Sequence, residues 1–239
     1  MLKWGKRLSE WSKPEPWLSV VVPAIFDDPA GEGALYAGLG GVPVAAQTLL
    51  ALDRIPQVTE IVVVIREAEL KPMADICRDF GIRRVRKVVC AKESGLEALT
   101  VGVYECDPAA AYIAIHDPLR PFVTERIIKR ALTAAERAGA GAPAVPVKDT
   151  IKIVREGVVQ ETPDRSALYA MQAPQVVESS LLKAALCRAR EAGVPIPDLP
   201  KALELLQLDI QLTEGSDENI RVGTATDLLA AQAILYRRT

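Results

Sequence analysis

The residues best suited to chemistry fall in three short polar runs. In His116-Asp117-Pro118-Leu119-Arg120-Pro121-Phe122 a carboxylate and a guanidinium stand three residues apart. Such an arginine can grip phosphate bidentately, and such a carboxylate can take substrate hydroxyls or a hydrated Mg²⁺. The two side chains can equally pair with one another and cap the next helix. Their spacing leaves both readings open, and His116 reads as an orienting or structural residue rather than a base. A second run joins Asp149-Thr150-Ile151-Lys152 with Asp164-Arg165-Ser166, and a third is Glu218-Asn219-Ile220-Arg221. Each is weak alone, because polar residues at turns and strand ends usually just face solvent.

Composition narrows what those runs can do. The chain has 239 residues with a formal net charge of -2, and its 29 basic and 31 acidic residues are interspersed. No basic footprint for nucleic acid stands out, so none is expected as a partner. Cys77, Cys90, Cys106 and Cys187 are widely spaced and form no C-x-x-C, so reduced structural thiols are expected and no resident metal site. No apolar run reaches the roughly 18 residues that span a membrane, and the first residues lack a signal-peptide core, which points to the cytoplasm.

The elements that must position these residues are legible as alternating patterns. β-rich apolar runs lie near Ser19–Ala24, Glu60–Arg66, Val85–Ala91, Ala111–His116, Ala144–Val147 and Asp209–Glu214. Helical patterns fall between them at Val42–Asp53, Leu70–Phe80, Gly95–Cys106, Thr124–Ala138, Ser180–Ala192 and Thr226–Tyr236. Ile61 to Ile65 is apolar throughout, as a strand covered on both faces must be. The expected fold is α/β, a doubly wound, mostly parallel, Rossmann-like sheet, as a single unit over residues 19–239. Ligands of such sheets bind beyond the carboxyl ends of the strands, here the loops after Ala24, Ala91 and His116.

Two stretches break the alternation. Residues 149–172 alternate in short runs around Glu156-Gly157, which predicts a projecting β-hairpin arm. An arm must cover its apolar side chains against its own domain or a second copy, and a two-fold dimer is the commoner solution. Residues 1–18 form a basic leader holding all three tryptophans. As a helix it either folds back on its own domain or docks on a membrane surface or partner through Trp4, Leu8 and Trp11.

The order of the motifs HDPLRPF, APAVPVKDT, DRSALYAMQAPQ and EGSDENIRV is specific. It resembles the 2-C-methyl-D-erythritol 4-phosphate cytidylyltransferases, from about Ser19 to Leu235. The resemblance implies a homodimeric enzyme in which CTP and a polyol phosphate react with Mg²⁺ to give a cytidine diphosphate product and pyrophosphate. It implies that Asp117 and Arg120 contact the polyol phosphate and that Thr150 and Arg165 reach across the dimer. Arg221 stands where the family has lysine, which keeps the charge but exchanges an ammonium for a planar fork.

The nucleotide loop departs from the family. Members carry P-A-A-G-x-G-x-R after the first strand and P-K-Q-Y shortly after it. Here the stretch is Pro23-Ala24-Ile25-Phe26-Asp27-Asp28-Pro29-Ala30, then Gly33-Ala34-Leu35-Tyr36. Phe26 and Asp28 replace the glycines, Ala30 the arginine and Ala34 the lysine. No Lys or Arg occurs between Pro14 and Asp53, while Asp27, Asp28 and Glu32 add negative charge. Losing one preorganised donor costs about 2.7 to 4 kcal/mol, so losing two slows transfer by roughly 10⁴ to 10⁶-fold. Expected are impaired or lost CTP turnover, with a non-catalytic phosphate-binding or regulatory homologue, or a transferase for another polyol phosphate, as alternatives. Gly38, Gly40, Gly41 and Lys92 are the candidates to supply replacement donors.

Overall fold

The apolar strands of the sequence become the centre of one sheet because their side chains alternate between two cores. In β1 (Leu18–Pro23), Leu18, Val20 and Val22 pack to one side and Val21 to the other. The computed structural model describes residues 17–193 and 199–238. After β1 come α1 (Pro29–Tyr36), a small ribbon of β2 (Gly38–Leu39) and β3 (Val42–Pro43), α2 (Val44–Asp53), β4 (Val58–Ile65), α3 (Leu70–Asp79), β5 (Val85–Cys90), α4 (Leu96–Glu105), β6 (Tyr112–Ile115), α5 (Glu125–Ala138) and β7 (Ala140–Pro146). The second half contains β8 (Ile153–Arg155), β9 (Val158–Glu161), β10 (Tyr169–Met171), β11 (Gln175–Glu178), α6 (Ser179–Ala192), α7 (Leu199–Glu204), β12 (Gln211–Glu214) and α8 (Ala225–Arg238).

The main sheet has eight strands in the order β10-β7-β11-β6-β1-β4-β5, with β12 also on β7. β5, β4, β1 and β6 are parallel neighbours, whereas β11 runs antiparallel between β6 and β7. β10 and β11 lie end to end along one edge of β7, and β12 takes the other edge. The α/β, mostly parallel expectation holds. Helices cover both faces: Ile128, Ala131 and Ala135 of α5 join the core that contains Val20, and Leu99 of α4 with Leu182 of α6 joins the core that contains Val21. Gly102 lets α4 lie close on the sheet, since a Cβ there would come within 2.8 Å of a Val64 methyl. Thr124 caps α5 by accepting from the Ile127 amide, and Gly139, at φ +84, ends it.

Three parts of the sequence reading need correction. β7 begins at Ala140, not Ala144. Its Ala140-Gly141-Ala142 start has little β propensity, yet partners on both edges hold it as a strand. Residues 29–36, read as loop, form α1, because Asp28 caps it and Pro29 opens it. β10 and β11, not foreseen, exist through pairing with distant strands. Within the expected arm the hairpin is β8 and β9, which join at Glu156 (φ +51) and Gly157 (φ +79), both left-handed as a tight hairpin turn needs, whereas residues 169–171 at its end belong to the main sheet. The leader helix falls on residues outside those described, but the Trp17 carbonyl accepts from the Ala111 and Tyr112 amides at 3.1 and 3.2 Å.

Candidate active site

A cavity of about 420 Å³ opens where β1 and β6 end. Pro23, Ile25 and Phe26 line it from the β1 side, Ser94 and Gly95 from the loop after β5, and His116 and Asp117 from the β6 side. Arg221, from the segment before α8, Gln175, at the start of β11, and Asp27 and Asp28, from the loop after β1, add to the polar lining.

The β6 side is tied into buried structure. Asp117 Oδ1 accepts from the Leu119 amide at 2.9 Å, and its Oδ2 accepts from Arg221 Nε at 3.1 Å, with Arg120 Nε at 3.7 Å. Two guanidiniums thus share one carboxylate, and among the described residues no second carboxylate lies within 4.0 Å of either. Asp117 directly balances only one of the two, with Asp227 acting on Arg221 from farther off, so the pair can favour an anionic ligand. Arg120 also donates to the Asn219 carbonyl at 2.6 Å, and burial together with nearby Arg221 lowers its pKa from the ordinary value.

Asn219 is itself fully buried and donates through Nδ2 to the Ala173 carbonyl at 2.8 Å. Gln172 exchanges hydrogen bonds with Ser216, donating to its carbonyl at 2.8 Å and accepting from its amide at 3.1 Å. The turn that presents Arg221 is therefore anchored to the residues between β10 and β11. His116 is fully buried, and burial pushes its pKa down to about 4. The ring is neutral near pH 7, so its Nε2, 3.2 Å from the Arg120 carbonyl, donates there. The contact ties the ring to the Arg120 backbone.

The loop after β1 satisfies its charges internally. Asp28 accepts from the Gly31 amide at 2.7 Å, placing its own carboxylate on the first turn of α1. The Phe26 ring lies on Gly31, where a Cβ would come within 2.6 Å of it. Asp27 accepts from the Ser94 hydroxyl at 2.6 Å, which joins the loops after β1 and β5. Arg66, immediately after β4, donates to the Phe26 carbonyl at 3.0 Å and pairs with Glu32 of α1.

A family model described as 2-C-methyl-D-erythritol 4-phosphate cytidylyltransferase matches residues 21–237. The chain belongs to that cytidylyltransferase family. A relative from Bacillus velezensis with that name is 35% identical over 220 residues, 90% of this chain and 94% of the relative. One from Alkaliphilus metalliredigens is 34% identical over 205 residues, 85% of each. Among solved structures, a 4-diphosphocytidyl-2C-methyl-D-erythritol synthase from Anaerococcus prevotii superposes with a TM-score of 0.82 at 25% identity, covering 94% of this chain and all of that one. A Thermus thermophilus cytidylyltransferase at 23% identity and TM-score 0.72, covering 91% and 98%, shares the fold.

Against this frame the expected cytidylyltransferase residues divide. Asp117, Arg221, Pro23, Ile25 and Phe26 meet at the cavity, with Arg120 behind Asp117. Ala24 is buried and donates to the Val64 carbonyl at 2.7 Å. Ala30 is exposed and Ala34 half-buried on α1, and neither lines the cavity. Thr150 and Arg165 lie on the exposed arm, where Arg165 donates to the Lys148 carbonyl at 3.1 Å. Gly40 and Gly41 turn the β2–β3 ribbon, a Cβ at Gly40 would meet Leu235 of α8, and none of Gly38, Gly40 and Gly41 lines the cavity. Lys92 is exposed and does not line it either.

Sequence reasoning missed three contributors. Gln172 and Asn219 were quoted in motifs but not as the anchor of Arg120 and Arg221. Arg66 was not connected to the loop at all, so the expectation that the loop lacks any cation is corrected. Its only sequence signal is its position just past a strand's carboxyl end.

Proposed function

We propose that the chain binds a polyol phosphate, 2-C-methyl-D-erythritol 4-phosphate as its relatives' names indicate, and carries out cytidylyl transfer from CTP with strongly reduced turnover. In that reaction an oxygen of the polyol phosphate attacks the α-phosphorus of CTP, a new P–O bond forms, and the bond to the leaving pyrophosphate breaks. The observation that carries the reading is the division of charge across one cavity. Arg120 and Arg221 share a single carboxylate, whereas the nucleotide loop and α1 carry three acids, Asp27 on the Ser94 hydroxyl, Asp28 on the Gly31 amide and Glu32 on Arg66. Phosphate is therefore favoured at the β6 side, and the charge developing on a triphosphate finds little stabilisation at the β1 side.

Mg²⁺ fits only as an ion carried in on phosphates. No cluster of three metal-ligating side chains occurs among the described residues, and Asp27 and Asp28 are the loop carboxylates lining the cavity that such an ion would meet. It would neutralise phosphate charge there.

The exposed arm supports a homodimer. Ile153, Val154, Val158 and Val159 are 43 to 61% exposed, and Thr150 and Arg165 lie on the same arm, away from their own cavity. A second copy would cover the former and could receive the latter. The protein is assigned to the cytoplasm on the same reading; no described helix is long and apolar enough to cross a membrane. Pyrophosphate release from CTP, methylerythritol phosphate and Mg²⁺, measured beside calorimetric binding of methylerythritol phosphate alone, tests the function. Binding with slow or absent release is expected, and release at ordinary enzyme rates overturns the impairment.

A further inference from the structure

We propose that Arg66 is this chain's polyphosphate-recognising cation and that Glu32 masks it, so that an ion pair between the end of β4 and α1 sets nucleotide acceptance. The inference deepens the cytidylyltransferase reading and rests on it. β4 lies beside β1 with Val64 opposite Pro23, so Arg66 stands just past the end of that ladder, next to the loop that lines the cavity though not itself a lining residue. Arg66 Nη1 already reaches the carbonyl of Phe26, a lining residue, at 3.0 Å. It is the guanidinium that the fold delivers to a loop whose own sequence supplies none.

Its masking is local and reversible. The Arg66 and Glu32 side chains are 37% and 46% exposed, so water screens their pair and a competing anion can displace it. A di- or triphosphate offers a guanidinium several charged oxygens at once, which matches its planar fork. Glu32 acts twice against such a ligand, by occupying the cation and by repelling the incoming charge. Asp28 adds to the effect by holding the Gly31 amide.

The test is titration of the full-length protein with inorganic pyrophosphate, and separately with CTP and Mg²⁺, comparing wild type, Glu32→Gln, Arg66→Ala and the double variant. Melting temperatures report folding. Glu32→Gln is expected to tighten pyrophosphate binding by about tenfold or more. The double variant is expected to lose that gain, and Arg66→Lys in the Glu32→Gln background to keep part of it. Unchanged affinity in Glu32→Gln, or a gain that survives in the double variant, overturns the assignment. The underlying reading fails by a different result, rapid CTP turnover by the wild type, which leaves the comparison of variants intact.

Discussion

The two sides of the cavity use the same ingredients, carboxylates and guanidiniums at the ends of parallel strands, to opposite effect. On the β6 side Asp117 is outnumbered by Arg120 and Arg221, and the surrounding bonds reach a fully buried Asn219. On the β1 side there are three acids and one cation: Asp28 holds a helix amide, Asp27 a hydroxyl, and Glu32 pairs with Arg66 at the surface. The difference teaches that a phosphate site is set by the surplus charge after internal pairing, and by how firmly burial fixes the groups, rather than by a count of cations.

That contrast can be broken or sharpened by experiment. The largest effect is expected on the β6 side: Arg120→Ala removes the more buried of the two guanidiniums on Asp117, leaving Arg221 at 3.1 Å, and should weaken methylerythritol phosphate binding by about 2–5 kcal/mol. Calorimetry with a melting curve checks it, and an unchanged affinity would erase the distinction between the two sides.

The next concerns His116, the single histidine of the sequence, whose pKa falls from 6.5 to about 4 through burial. Between those pH values the unfolded chain takes up a proton that the native ring refuses. The stability given by the neutral ring is therefore complete above pH 6.5 and declines as pH drops toward 4, by up to about 3 kcal/mol. Melting temperatures from pH 7 to 4 should fall more steeply for wild type than for His116→Asn; parallel curves would show that the β6 side is not sealed.

The smallest effect belongs to the loop. Asp28→Ala removes the α1 cap and should cost about 1 kcal/mol, a melting shift of a few degrees. A loss as large as that of a core substitution would show the loop to be as firmly built as the opposite side.

How much of this was legible depended on the range of the interactions. The buried strands β1 and β4 announced themselves through the apolar runs Val20–Val22 and Ile61–Ile65, covered on both faces, and the Glu156-Gly157 turn because its backbone angles restrict which residues fit. α1 was obscured by Gly31, Gly33 and the acids before it, which have low helix propensity, yet its cap bond and packing against α2 hold it. β11 carried little local signal, and its pairing of Gln175 with Ile115 spans sixty residues of chain. The anchoring of Asn219 to residues 172 and 173 is of the same kind.

By itself the sequence determined the alternating α/β order, the arm and the motif set of a cytidylyltransferase, because hydrophobic period, turn chemistry and residue identity are local properties. Only the tertiary structure decided which charges meet: that Arg221 joins Arg120 on Asp117, that Asp28 occupies a helix amide, and that Arg66 arrives at a loop with no cation of its own. Coulomb interactions depend on separation in space, and the sheet brings together residues whose distance along the chain gives no measure of it.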